Sequence, residues 1–140
     1  VRLRPQRRQP LHPGPTDLVG PVRKDKRTKN LVKRLRPGDV AVIDHLDVDR
    51  VAAETLVERR PVAVVNAAQS ISGRYPNAGP AILVEAGIPL LDVAGQAVFE
   101  LREGEEVRID HDGVVWLDGS EVARGEWLQP EDVRKRLDDA

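Results

Sequence analysis

The stretch Ser70–Pro89, SISGRYPNAGPAILVEAGIP, gathers the residue types best suited to chemistry. A polar loop with two glycines leads into a helix, whose first turn leaves about four backbone N–H donors unpaired. Arg74 and Asn77 are the leading site residues, with Ser70, Ser72, Gly73 and Gly79 shaping the loop around them. An arginine can place two parallel hydrogen bonds on a phosphate or carboxylate, so the chemistry implied is anion binding. The competing reading is structural: the glycines let the loop turn, Asn77 caps the helix, and Arg74 pairs with an acid of its own chain. The loop is not a P-loop, because no Gly-Lys-Ser/Thr follows, and not a Gly-x-Gly-x-x-Gly fingerprint.

A second cluster, Asp44-His45-Leu46-Asp47 with Asp49, falls at the end of an apolar strand, where α/β sheets place ligands. Asp44, His45, Asp47 and Asp49 offer O and N ligands to a metal, but one histidine among acids is more often a strand-end network with a helix cap. No metal site and no cofactor are therefore expected. The chain has no cysteine, which excludes disulfides, thiolate metal sites and a cysteine nucleophile. His12 sits in a proline-rich front, and His111 and Ser120 sit in turns, so no Ser-His-Asp set can be assembled. No catalytic residue is expected.

The third feature is charge. Val1–Arg36 carries a balance of +10 and Pro37–Ala140 a balance of −11, which the net charge of −1 conceals. Arg23, Lys24, Lys26, Arg27, Lys29, Lys33 and Arg34 form the expected basic partner surface. Such polarity suits either an anionic partner or folding back onto the acidic body. The segment Arg23–Arg36 contains no aromatic residue for base stacking, so nucleic acid is not expected. Leu31, Val32 and Leu35 make too small an apolar face for a firm interfacial helix.

These groups need elements to hold them. At 140 residues, with 40% hydrophobic and 32% charged, the chain suits one folded domain. Twenty valines against one Phe, one Tyr and two Trp favour a domain rich in sheet. No apolar run approaches the roughly 20 residues that cross a bilayer. Residues 1–17, rich in Pro and Arg, read as a flexible arm, residues 18–124 as one α/β domain, and residues 125–140 as an exit linker helix, its helical part being Pro130–Asp139 with Pro130 at the first position. A chain that opens on Val1 is expected to come from a longer protein.

Within the domain, strands are expected at Leu18–Val22, Val40–Asp44, Val62–Asn66 and Ile88–Asp92. Thr28 is expected to cap a short helix over Lys29–Leu35, Asp47 or Asp49 one ending near Arg59, and a third helix runs from about Pro80 to Ala86. Val40–Asp44 and Val62–Asn66 are nearly continuous apolar runs, as in strands covered on both faces and joined by a parallel crossover. A short helix at Gln96–Leu101 leads to strands at Glu106–Asp110 and Val114–Leu117, joined by His111-Asp112-Gly113, and Asp-Gly is a strong hairpin signal. A last strand is expected at Glu121–Arg124.

The order from Gly38 to about Gly119, with GDVAVID, the Gly73 loop, AGIP at Ala86–Pro89 and the GEEVRIDHDGVVWL hairpin, resembles the swivelling β/β/α phosphohistidine domain of phosphoenolpyruvate-utilising enzymes. The fold expected is thus α/β, a swivelling β/β/α-type domain with a parallel βαβ core and a C-terminal β-hairpin. That family carries Thr-Ser-His before the helix, whereas Pro76, Asn77 and Ala78 stand here, which disfavours a phosphohistidine carrier.

The strings RKDKRTKNLVKRL, RPGDVAVIDHLD, AVVNAAQSISGRYPN and GPAILVEAGIPLLD, which together span about half the chain, resemble the N-terminal region of SteA-type cytokinetic ring proteins of actinobacteria. The resemblance implies a non-catalytic interaction or regulatory domain in cytokinesis and daughter-cell separation. It implies a cytoplasmic place at the septum, a coiled-coil partner of the SteB type, and regulation of peptidoglycan hydrolysis. It also implies a downstream thiamin-pyrophosphokinase-like domain and a C-terminal membrane-anchoring segment. The alternative function is a phosphate- or nucleotide-clamping domain serving that kinase-like part. The arm and short sheet edges would allow a homodimer.

Overall fold

Every residue of Val40–Ile43 (β2) and of Ala63–Asn66 (β3) is buried, so both faces of these strands need cover. Helices supply it on one face and the far wall of the same sheet on the other. In this computed structural model, which describes residues 17–74, 77–93, 95–129, 131 and 133, the remaining strands are Leu18–Lys24 (β1), Leu90–Val93 (β4), Glu106–Ile109 (β5), Val114–Leu117 (β6) and Ser120–Trp127 (β7). The helices are Thr28–Leu31 (α1), Arg50–Arg59 (α2) and Gly79–Glu85 (α3), with a 3-10 turn at Ala97–Glu100.

The strands close into a barrel in the order β1-β2-β3-β4-β7-β6-β5. Strands β1 to β4 run parallel, with Val22 opposite Val40, Val42 opposite Val65 and Val65 opposite Leu91. The other wall is antiparallel: β5 pairs β6, and β6 pairs β7. Two strands belong to both walls. Residues Leu18–Pro21 of β1 pair antiparallel with β5 before Val22–Lys24 turn to β2. Likewise β7 pairs first with β6 and then, at Gly125–Trp127, with β4.

Side-chain alternation then sorts the core into two parts. Val40, Val42, Ala63, Val65, Leu91, Val107, Ile109 and Val115 fill the barrel interior. Ala41, Ile43, Val64 and Leu90 face outward, under Leu31, Ala53, Leu56 and Leu83 of the three helices.

This architecture corrects the expected fold class. An α/β domain of the swivelling β/β/α type, organised on a parallel βαβ core with a C-terminal β-hairpin, is not what forms: the sheet is a closed seven-stranded mixed barrel with few helices. The physical reason lies in the doubly buried strands. A continuous apolar run reports two covered faces but not what covers them, and here the β5–β7 wall covers the inner face. Closure is carried by partner changes in β1 and β7, which leave no mark in composition.

The expected helix over Lys29–Leu35 is also corrected. Regular α-helix ends at Leu31, Arg27 is its N-cap, and Thr28 lies inside the first turn with its side chain buried. Asp49 does cap α2, accepting a hydrogen bond from the Ala52 N–H at 2.7 Å. Strand β7 runs to Trp127, past the expected end at Arg124, and Leu128 and Val133 join the core beneath the helices. The arm, except Asp17, and the helix expected over Pro130–Asp139, except Glu131 and Val133, lie outside the described residues. Among the described residues no helix is long and apolar enough to cross a membrane.

The crossing of β7 from one wall to the other brings backbones into contact. A Cβ on Gly125 would lie 2.0 Å from the Asp92 carbonyl oxygen, which cannot move without breaking the β4–β7 ladder. Gly125→Ala is expected to cost roughly 1–3 kcal/mol, the range for overpacking a rigid neighbour. Urea unfolding measures this, and an unchanged midpoint would show that the two strands do not approach in this way.

Candidate functional site

Past the ends of β2 and β3 the sheet ladder runs out, and Asn66 takes over. Its side chain is fully buried. Its Oδ1 accepts from the N–H of His45 at 3.0 Å and of Ala68 at 3.0 Å. Its Nδ2 donates to the His45 carbonyl at 2.9 Å and to Ser70 Oγ at 2.8 Å. One amide thus joins the β2 end, the β3 end and the loop that follows.

The same loop shows what became of the expected anion site. Ser70 is buried and gives both its donors to Asp92, Oγ at 2.6 Å and N–H at 2.9 Å. Ser72 gives both to Asp47, N–H at 2.7 Å and Oγ at 2.8 Å. Asn77 does not cap α3, whose N-cap is Ala78; its Nδ2 instead donates to the carbonyls of Val48 at 2.8 Å and Ser70 at 3.2 Å. Gly73 turns the loop with φ +86°. Gly79 serves close packing, since a Cβ there would lie 2.2 Å from the Val48 carbonyl oxygen. Arg74 is exposed, and its N–H donates to Ser72 Oγ at 3.1 Å. The loop is therefore tied down by its own chain, and an anion beside Ser70 or Ser72 would meet the carboxylates of Asp92 and Asp47.

The four side chains weighed as metal ligands do not gather as a set, only His45 and Asp49 lying near each other. Asp47, at φ 55°, turns to Ser72, while Asp44 accepts from Gln96 Nε2 at 3.2 Å and Asp49 caps α2. Among the described residues no group of three or more His, Cys, Asp or Glu is placed to hold a metal ion.

His45 instead stands in an open groove of about 620 Å³ between the start of α1 and the first turns of α2. Its Nδ1 shares a 3.0 Å hydrogen bond with Thr28 Oγ1, and its Nε2 lies 3.6 Å from Asp49 Oδ2. Val32, Ala52 and Thr55 form the floor. Leu46 and Val51, 59% and 70% exposed, stand at the groove and are two of the three large hydrophobic residues exposed among those described. Lys26, Arg27 and Lys29 form a basic lip.

The seven basic residues expected to face a partner therefore divide. Arg23 pairs with Asp39 at 3.2 Å, and Lys24 Nζ donates to the Phe99 carbonyl at 2.6 Å. Arg34 places Nε and Nη2 on the two oxygens of Glu103, at 3.1 and 3.0 Å, and also donates to the Lys24 carbonyl. These three are folded back onto the chain. Lys26, Arg27 and Lys29 line the groove, and Lys33 is exposed apart from it. Sequence reasoning missed Asn66, Thr28, Leu46 and Val51 as site residues. An asparagine closing the buried run VAVVN was the available signal, because a polar side chain there needs partners of its own.

With the geometry in hand, comparison with known proteins adds the following. No family model and no curated protein matches the chain. Among solved structures it is similar to 3-isopropylmalate dehydratase (LeuD) of Methanocaldococcus jannaschii, at 14% identity and a TM-score of 0.54, over 87% of this chain and 88% of that one. It is also similar to Streptomyces coelicolor RraAS2, described as an unusual member of the RNase ES inhibitor RraA protein family, at 15% identity and a TM-score of 0.49, over 87% of this chain and 70% of that one. The first likeness shows a shared fold and nothing about activity; the second is too slight to argue from.

The Arg34–Glu103 pair sets a pH dependence. The Arg34 guanidinium outweighs burial and, with the Lys24 N–H, holds the Glu103 carboxyl below the usual range. A depressed folded value means stability that is present above the unfolded value and lost as pH falls through the folded one. Because both groups are partly exposed, the contribution is about 0.5–1 kcal/mol. Urea unfolding of the wild type should show an advantage over Glu103→Gln near pH 6 that shrinks as pH falls through and below the usual carboxylate range. A constant difference across that range would contradict the pairing.

Proposed function

We propose that the chain is a non-catalytic protein-interaction domain of an SteA-type bacterial division protein, acting in cytokinesis and daughter-cell separation. The groove carries this reading: two large apolar side chains stand exposed beside a basic lip, on a framework held by buried hydrogen bonds. Exposed apolar surface rimmed by charge is the mark of an interaction site. The strings KRTKNLVKRLRPGD and SISGRYPN support the division role by resemblance, and each contributes to this region. The first supplies Lys29 and Val32 to the groove. The second supplies Ser70 and Ser72, whose bonds brace it. In this reading the protein works at the septum, on its cytoplasmic side, with a coiled-coil partner of the SteB type through which it influences peptidoglycan hydrolysis. The clamp for phosphate or nucleotide is the weaker alternative, because Asp47 and Asp92 already take the serine donors.

The test replaces the chromosomal copy in an actinobacterium with the protein bearing Leu46→Glu and Val51→Glu. Both positions are exposed, so thermal unfolding of the purified chain should be nearly unchanged. Loss of septal fluorescence of the tagged protein, with cells remaining joined, is the expected result. Normal septal placement and separation, together with a defect from Arg74→Ala, would favour the clamp and overturn the proposal.

A further inference from the structure

Building on the interaction-domain reading and naming the partner for its groove, we infer that the occupant is an amphipathic helix of another protein with an acidic flank. Shape is the first argument. Val32 and Ala52 lie in the floor, but Leu46 and Val51 remain more than half exposed. A small molecule in so open a groove would leave much of its own surface in water. A helix lying along the groove covers floor and rim together, with apolar anchors at i, i+4 and i+7. The surface is concave between two helices, which suits a rod and not the insertion of apolar side chains into a bilayer.

Charge is the second argument, and it separates the two sides of the groove. The acids there, Asp44 and Asp49, accept from neutral donors, the Gln96 amide and the Ala52 N–H, and keep their charge, but both belong to the β2–α2 side of the groove. The cations line the α1 side. The side chains of Arg27 and Lys29 are in no ion pair with the described residues, and Lys26 rests 5.6 Å from the Phe99 ring centre, a contact that leaves its charge uncompensated. Their neighbours Arg23 and Arg34 are bonded to Asp39 and Glu103. Three cations on the α1 side of the groove thus have no acid of this chain paired with them, which gives an acidic flank its complement.

The test is a phage selection of helical peptides of about 16 residues, long enough for four turns. The bait is the 140-residue chain, with counter-selection against a Lys29→Glu, Val51→Asp variant checked to be folded by its amide spectrum. Enriched peptides should carry a helical apolar stripe flanked by Asp or Glu. By fluorescence anisotropy they should lose at least about tenfold in affinity with Val51→Asp and with Arg27→Glu, Lys29→Glu, the charge variant also losing its salt dependence. Enrichment of neutral or basic peptides, or no enrichment, would overturn the inference. So would binding of the chain only to anionic phospholipid vesicles, or groove-dependent self-association in sedimentation. This selection involves no division component, so its failure and a failure of the septal assay are separate results.

Discussion

Four hydrogen bonds from one buried side chain, Asn66, hold the carboxyl end of the parallel strands together. At that end the ladder has stopped and each strand must leave for its helix, so backbone groups of the departing segments need other partners. Asn66 satisfies both the N–H and the carbonyl of His45, the Ala68 N–H and the Ser70 hydroxyl. Ser70 then passes the connection to Asp92 on β4. Truncating such a group strands several buried donors and acceptors, each costing about 1–3 kcal/mol. The network also fixes the backbone of His45, and through the Thr28 hydroxyl it sets where α1 meets the β2–α2 loop. The groove exists because these two pieces are held at that spacing.

Local features of this arrangement were legible in the sequence, and long-range ones were not. The apolar runs marked β2 and β3, the pair Asp47 and Asp49 marked the start of α2 without saying which caps it, and the Asp-Gly turn marked the β5–β6 hairpin, because each signal acts within a few residues. Closure of the barrel depends on β1 and β7 changing partners, at contacts so close that Gly125 admits no Cβ. Nothing in a glycine announces which distant carbonyl it must clear. The loop expected to hold an anion shows the same limit. Ser70, Ser72 and Asn77 have the right donors, but their partners Asp92, Asp47 and the Val48 carbonyl are 22, 25 and 29 residues away. Donors look available in sequence when the acceptors that consume them are distant.

The basic segment shows the same principle with a different outcome. As a run, Arg23–Arg34 offers seven equivalent cations. Folding makes them unequal, since Glu103, on a turn nearly seventy residues further on, claims Arg34, while the β2–α2 loop brings Leu46 and Val51 beside Lys26, Arg27 and Lys29. The internal pairs rigidify the wall of the groove, and the uncommitted charges give it a sign. An apolar strip alone would attract any exposed hydrophobic surface. Charge on one lip restricts the partner, which is how interfaces gain specificity more than affinity.

Amide hydrogen exchange followed residue by residue in the free chain bears most directly on the role given to Asn66. The N–H groups of His45 and Ala68 lie outside the regular strands, yet they should exchange as slowly as those of Val42 and Val65 in the wild type. In Asn66→Ala they should exchange by local opening while the barrel amides remain protected relative to the new global stability. Fast exchange at His45 and Ala68 in the wild type would mean that the strand ends are not held by this side chain, and that the groove is not a preformed surface.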